Sequence, residues 1–409
     1  MMTRFSGKPG ASVFKTPAQH FYLIKFASAF LFSLVFTVNL VYHAKVVGLS
    51  PLQLVLVGTV LELTVFLFET PTGLLADLKS RKWSVVIGFF LIGLGFLLEA
   101  SVPLFFTVLI AQVLWGIGYT FTSGALQAWI ADEHTAGSNS TSIDSVFVKG
   151  DRMAALGNGV AIPFSVWVAL TTVQLPILLG GACFILLSIW LAFSMTENGF
   201  QRSKSPRVWQ QFHSSWTVIK GQHTLWIIAG ITIFLGLYSE GFDRLWTPHF
   251  IDNLQVPTEP LVIFFGILRA IETAILFVLL NKLETQIADQ NQHQIKVSIL
   301  WLTTIIIASL VVFAWSPWWI IAALAYLAIQ VTRSYKQPIL TTWINRNIED
   351  TNTRASIFSF TGQLDALGQI SGGPIVGLIG NLSIRIALTL CALLLLPVYL
   401  ILNRVKLSR

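Results

Sequence analysis

The feature that most constrains this chain is its succession of apolar runs, most of them longer than the roughly 18 residues that mark a membrane-spanning helix. Their limits fall near 21–46, 52–76, 83–104, 105–131, 150–171, 175–195, 223–245, 259–281, 296–316, 317–344, 356–380 and 382–403. Lipid offers the backbone no hydrogen-bond partner, so segments of this kind fold as helices that satisfy themselves. Apolar residues make up 54% of the 409 residues and charged residues 11%. A soluble domain carries about 25% charged residues, so this chain cannot build a water-facing surface. The expected fold class is an all-α membrane protein of twelve transmembrane helices.

The basic residues set an orientation. Of 26 Lys and Arg, nineteen lie in the termini and in or at the edge of the loops after even-numbered spans. Three (Lys45, Arg244, Arg385) follow odd-numbered spans, and four (Lys25, Arg269, Arg333, Lys336) fall within spans. By the positive-inside rule both termini are expected to be cytoplasmic. The first run, from Phe21, is long and lacks a small-residue cleavage site, so it reads as a retained span and not as a signal peptide. The net charge of +7 is spread over these loops and forms no single patch for nucleic acid. The two cysteines, Cys183 and Cys391, both lie in spans; their count excludes a disulfide framework, and no paired-thiol metal site is expected.

The longest break, 196–222, carries Arg202, Lys204, Arg207 and Lys220, with a weak helical apolar period over Val208–Val218 that suits a surface-lying helix. It divides the chain into 1–195 and 223–409, six spans each. The halves resemble each other. Ala155-Leu156-Gly157 precedes Pro163 as Ala366-Leu367-Gly368 precedes Pro374, and Leu126-x-x-Trp129-Ile130 matches Leu340-x-x-Trp343-Ile344. The separations are 211 and 214 residues, so both pairs share nearly one register.

Between spans 2 and 3 runs Gly73-Leu74-Leu75-Ala76-Asp77-Leu78-Lys79-Ser80-Arg81-Lys82. This resembles the signature loop of the major facilitator superfamily of transporters, departing from it at Leu78 and Ser80. The resemblance implies two six-helix bundles with pseudo-symmetry that rock about a central site. It also implies gating roles for Gly73, Asp77, Arg81 and Lys82, with Asp77 as the latch. Gly73 is expected to permit close helix approach, since it lacks a Cβ. Within the superfamily the chain looks most like bacterial drug-efflux permeases, on Phe68-Glu69-Thr70-Pro71-Thr72-Gly73, Ser123-Gly124-Ala125 and Trp129. Gln112 stands where proton-coupled relatives carry arginine. The Gly- and Pro-rich span 11 (Gly368, Gly372, Gly373, Pro374, Gly377) resembles an antiporter motif that normally falls in span 5.

Ionisable residues inside spans are expensive and mark function by default. Glu62 and Glu69 lie two helical turns apart on one face. Arg269 and Glu272 are spaced to pair along span 8. Arg333 and Asp365 reach similar depth on spans 10 and 11 and are expected to pair or to compete for a proton. For each of these the competing reading is an ion pair that only fixes packing. Glu99 and Lys25, near span ends, are expected to snorkel to the interface. Glu240, Asp243 and Arg244 form an outer-gate candidate, or else part of an interfacial belt. Asn39, Tyr42, Gln112, Trp115, Tyr119 and Gln363 are the substrate-cavity candidates.

No phosphate-cradling loop, zinc-ligand spacing or usable nucleophile motif is present, so neither an enzyme, a cofactor nor a metal is expected. The reading is a secondary transporter of a small molecule by alternating access: proton-coupled efflux of lipophilic or drug-like compounds, from the cell (inner) membrane, as a monomer in the bilayer. The alternatives are a uniporter or symporter for a small nutrient, and, from another class, a membrane-embedded enzyme or receptor.

Overall fold

A computed structural model describes residues 16–137, 142–202, 223–256, 260–288, 291–346 and 354–403. Among these residues twelve helical spans follow one another. The first six are α1 (Pro17–Phe36), α2 (Pro51–Leu78), α3 (Arg81–Ser101), α4 (Phe105–Thr122), α5 (Ile143–Ala169) and α6 (Leu175–Ser194). The second six are α7 (His223–Pro248), α8 (Leu261–Ala288), α9 (Gln292–Trp315), α10 (Trp319–Arg346), α11 (Arg354–Leu382) and α12 (Ile384–Leu394, resuming as Leu396–Asn403). Among the described residues, nine of these segments are long and apolar enough to cross a membrane by themselves. The other three, α5, α10 and α11, carry the polar and glycine-rich stretches of the chain. The surface helix expected over Val208–Val218 lies outside the described residues.

Helix ends follow local chemistry. Ser50 accepts from the Gln53 amide and Gln53 returns to the Ser50 amide, a capping box that starts α2 just ahead of Pro51. Ser80 caps α3 through the Trp83 amide at 3.1 Å. The fourth apolar run does not form one helix as its length suggests. It breaks at Gly124, whose φ of +73° favours glycine, and resumes as Ala125–Ala136. The first run also bends: after Phe36 it continues as Asn39–Val41 and widens into a π turn, Tyr42–Val46.

Lipid gives apolar helices no hydrophobic reason to associate, so close backbone packing holds each bundle together. Gly93 of α3 and Gly181 of α6 face each other so closely that a Cβ on Gly93 would lie 2.6 Å from the Gly181 carbonyl oxygen. In the second half, Cβ atoms added to Gly236 of α7 and Gly368 of α11 would each stand 3.0 Å from the other's Cα. That second contact places Asp365, one turn earlier on α11, against the same part of α7.

The two bundles meet through α2 with α11 and α7, and through α5 with α8. These contacts gather at the ends of the helices away from the termini. The Leu52 amide donates to Asn381 Oδ1 at 2.9 Å. A Cβ on Gly377 would touch Leu52 and Val55, and one on Gly380 would touch Pro51 and Leu245.

Candidate functional site

Two cavity lobes adjoin at α11, one walled by the second bundle alone and the other by both bundles. The larger, about 560 Å³, is lined by α7, α10 and α11, with Tyr238, Asp243, Arg333, Lys336 and Asp365 among its walls. It extends to Ile344 and Phe358, near the termini side of α10 and α11. The smaller, about 450 Å³, is lined by Phe32, Phe36, Glu62, Glu69, Trp115 and Tyr119 from the first half and by Gln363 and Asp365 from the second. Gly362 and Asp365 line both lobes. A Cβ on Gly362 would meet open space, so α11 faces empty volume here. Helix α11 delivers Asp365 and Gln363 to this junction because Gly368 and Gly372 let it press against α7.

The first-half wall is aromatic. Trp115 stacks on Tyr119 with centroids 5.8 Å apart and meets Phe36 edge-on at 5.7 Å. Phe32 and Phe36 stack at 5.8 Å. Rings in these offset and edge arrangements form a firm apolar surface. Glu62 and Glu69, both on α2, face the same lobe.

The second-half wall is ionic. Arg333 donates two parallel bonds to the Asp243 carboxylate, one of them at 2.8 Å, and its guanidinium lies 5.6 Å from the Tyr238 ring centre and 5.5 Å from that of Phe242. The expected pairing of Arg333 with Asp365 is therefore not formed. The Asp243 carboxylate, on α7, meets the planar fork of the arginine, while Asp365 accepts from Gln369 Nε2 at 2.9 Å. Glu240 and Arg244, one turn apart on α7, pair at 2.8 Å. Of the two acidic partners expected for Arg244, Glu240 is the one engaged. Arg269 forms no ion pair with Glu272 along α8; its guanidinium reaches across to the Phe36 carbonyl of the other half at 3.5 Å.

Three cavity candidates lie elsewhere. Asn39, Tyr42 and Gln112 surround Glu99, which is fully buried. Asn39 Nδ2 (2.6 Å) and His43 Nε2 (2.7 Å) donate to its Oε1, Gln112 Nε2 (3.0 Å) to its Oε2, and Tyr42 Oη (2.7 Å) to its backbone carbonyl. Glu99 therefore does not snorkel: three side chains of its own bundle, Asn39, His43 and Gln112, replace the water its carboxylate would seek. Lys25 reaches Asp151 at 2.8 Å. Trp115, Tyr119 and Gln363 do line the cavity.

The loop after α2 is braced within its own half. Arg81 donates to the Ala128 carbonyl at 2.9 Å, to the Asp132 carboxylate and to Asp77 at 3.5 Å. Glu197 accepts from the amides of Arg81 (2.6 Å) and Lys82 (3.0 Å) and from Ser80, so it caps the start of α3. Glu133 does the same for the Asn198 and Gly199 amides, at 2.5 and 2.6 Å. Sequence reading missed Asp132, Glu133 and Glu197, although Asp132-Glu133 and Glu197 each close an apolar run on the loop's side. Lys82 lies over Trp83, 5.7 Å from the ring centre. Gly73 does not serve close packing, since a Cβ there would meet nothing within 4 Å.

Comparisons with known proteins agree with this geometry. A profile of the Major Facilitator Superfamily matches residues 21–373. An uncharacterized MFS-type transporter of Bacillus subtilis (strain 168), YxaM, is 23% identical over 338 residues, covering 80% of each chain. The nucleoside transporter NupG superposes with a TM-score of 0.77 at 13% identity, covering 95% of this chain and 99% of its own. A bacterial homolog of the human lysosomal transporter Spinster, solved inward-facing and unoccupied, gives 0.69 at 14% identity and covers 95% of both chains. With its twelve helical spans, paired bundles and intervening cavity, the chain belongs to the major facilitator superfamily of membrane transporters.

Proposed function

We propose that this transporter exports small lipophilic compounds across the cell (inner) membrane in exchange for protons, as a monomer whose two bundles, 1–195 and 223–409, rock about the cavity with 196–222 as their tether. The observation that carries this reading is Asp365, which lines both lobes and shares the smaller one with Glu62 across the bundle interface. Carboxylates held on opposite moving bodies are placed to lose and regain protons as the cavity changes its exposure. The aromatic wall of Phe32, Phe36, Trp115 and Tyr119 suits an apolar substrate body.

With the termini cytoplasmic, as the loop charges imply, contacts such as Leu52 with Asn381 close the outer end. The state is then inward-facing, like the conformation named for the Spinster homolog. Glu240 and Arg244 sit beside the α2 contact as the outer lock, and the exposed Asp77, beside the braced Arg81, latches the opposite state on the inner side. Glu69, nearer the inner end of α2, serves the gate.

The test is transport by protein in liposomes under an imposed proton gradient, recording lumenal pH while lipophilic compounds are presented. Proton movement that requires substrate and disappears in Glu62→Gln or Asp365→Asn is expected. Flux indifferent to the gradient would replace exchange with uniport.

A further inference from the structure

The charges around the cavity do not balance pairwise. Arg333 is neutralised by the Asp243 carboxylate, and Glu240 and Arg244 neutralise each other. Lys336, one turn beyond Arg333 on α10, lines the larger lobe, is 4% exposed, and has an Nζ with no hydrogen-bond partner among the described residues. No described carboxylate lies within ion-pair distance of it. An ammonium taken out of water without a counter-charge costs several kcal/mol, so the native sequence keeps an unfavourable group at this wall. A second buried donor stands in the smaller lobe: Trp115 Nε1 also lacks a partner among the described residues. Each lobe thus carries a buried donor for which the described residues supply no acceptor.

From this arrangement we infer that the transported molecule is an amphipathic organic anion, whose acidic group engages Lys336 and whose apolar body lies against Phe32, Phe36, Trp115 and Tyr119. The orientation follows from the other charges. Glu62 and Glu69 line the smaller lobe alone and repel an acid there, while Asp365 stands at the junction of the two lobes. In the larger lobe Lys336 is the described cation without a paired carboxylate, and Gln330, Ser334, Gln337 and Thr361 add neutral hydrogen-bonding groups to the same wall. The flexible four-carbon stem of lysine allows its amine to swing into the lobe when an anion arrives. The inference rests on reading this cavity as the transport site, and it does not depend on proton coupling.

The experiment measures equilibrium binding to the full chain in lipid nanodiscs, with no gradient and with empty nanodiscs subtracted. The probes are naphthalene-2-carboxylate, naphthalene-2-sulfonate and 2-naphthyl phosphate, set against the neutral naphthalene-2-methanol and the cationic 2-naphthylmethylammonium. At least one anion is expected to bind about ten-fold or more tightly than the alcohol, the scale of a hydrogen bond to a charged group. Lys336→Gln should erase that preference and Lys336→Arg should keep part of it. Lys336→Gln replaces an unpartnered buried amine with a neutral amide of similar reach, and Lys336→Arg keeps the cation should the amide disturb folding. The inference is overturned if no anion binds, if the alcohol or the ammonium binds as well, or if Lys336→Gln leaves anion binding unchanged. Lys336-dependent binding without substrate-driven proton movement would instead discard the exchange reading and leave this one standing.

Discussion

The two bundles bury charge in opposite ways. In the first, Glu99 is sealed among Asn39, His43 and Gln112, all from its own bundle, and nothing in that cluster lines the cavity. In the second, Asp243, Arg333 and Lys336 stand on the cavity wall. A buried carboxylate with both oxygens hydrogen-bonded rigidifies the fold around it, whereas an unpaired amine at a cavity wall keeps alternatives open for a ligand. The first half is thus built as a frame that presents an aromatic surface, and the second holds the exchangeable charge.

The largest expected effect breaks or upholds this contrast directly. Glu99→Ala leaves Asn39, His43 and Gln112 without their shared acceptor inside a protein interior. Removing one member of such a cluster costs about 3–5 kcal/mol. This should appear as a sharp fall in the thermal inactivation midpoint of the detergent-solubilised protein. Asp243→Asn, by contrast, strips Arg333 of its counter-charge at a wall the cavity hydrates, with the Asp243 side chain 39% exposed. Solvent screening reduces the loss to about 1–2 kcal/mol, and Arg333→Gln added to Asp243→Asn should recover part of it, a coupling within the 0.5–3 kcal/mol range of contacting pairs. If Asp243→Asn proves as damaging as Glu99→Ala, the distinction between a sealed and an open network fails.

A smaller effect concerns the seam between the bundles. Gly58 on α2 leaves the space that the Glu240 carboxylate and the Arg244 guanidinium occupy, and a Cβ there would overlap both. Gly58→Ala should therefore loosen the closed end, shifting the conformational equilibrium by about 1 kcal/mol, or roughly five-fold. Labelling of Leu52→Cys by a membrane-impermeant maleimide would report it as faster reaction than in the same variant with Gly58 intact. Unchanged labelling would mean that Glu240 and Arg244 relax locally and do not hold the bundles together.

Much of this architecture is legible in the sequence because lipid leaves few choices. An apolar run of spanning length must be a helix, and alternating basic loops set the direction of each one. The functional residues are less legible, because depth along a helix does not fix which neighbour a side chain meets. Arg333 and Asp365 reach similar depth, yet rotation about α10 turns the guanidinium to Asp243 on α7. Glu99 sits near a span end, where composition suggests snorkelling, but the π turn at Tyr42–Val46 widens the first span beside it, with His43 in the turn and Asn39 just ahead. Neither the turn nor the rotation leaves a mark in hydropathy. Lys336 was countable as an intramembrane cation, while its lack of a partner is a three-dimensional fact.

The smallest expected effect tests how far the two halves share a local design. The register that relates Trp129 to Trp343 relates Gly124 to Pro338. In the first half the chain breaks at Gly124, between Phe105–Thr122 and Ala125–Ala136, and in the second Pro338 lies inside a helix that continues from Trp319 to Arg346. Both residues interrupt helical hydrogen bonding at one equivalent point, by different means: glycine through a left-handed φ of +73°, proline through its missing N–H. Gly124→Ala must hold that left-handed conformation with a Cβ present, which costs about 1 kcal/mol. The added methyl group itself meets nothing within 4 Å, so backbone strain alone is measured. Pro338→Ala restores a donor within an already continuous helix and should leave the midpoint unchanged or raised. A neutral Gly124→Ala would show that the break tolerates a right-handed backbone, and the equivalence of the two interruptions would then be a coincidence of sequence register, not a shared hinge.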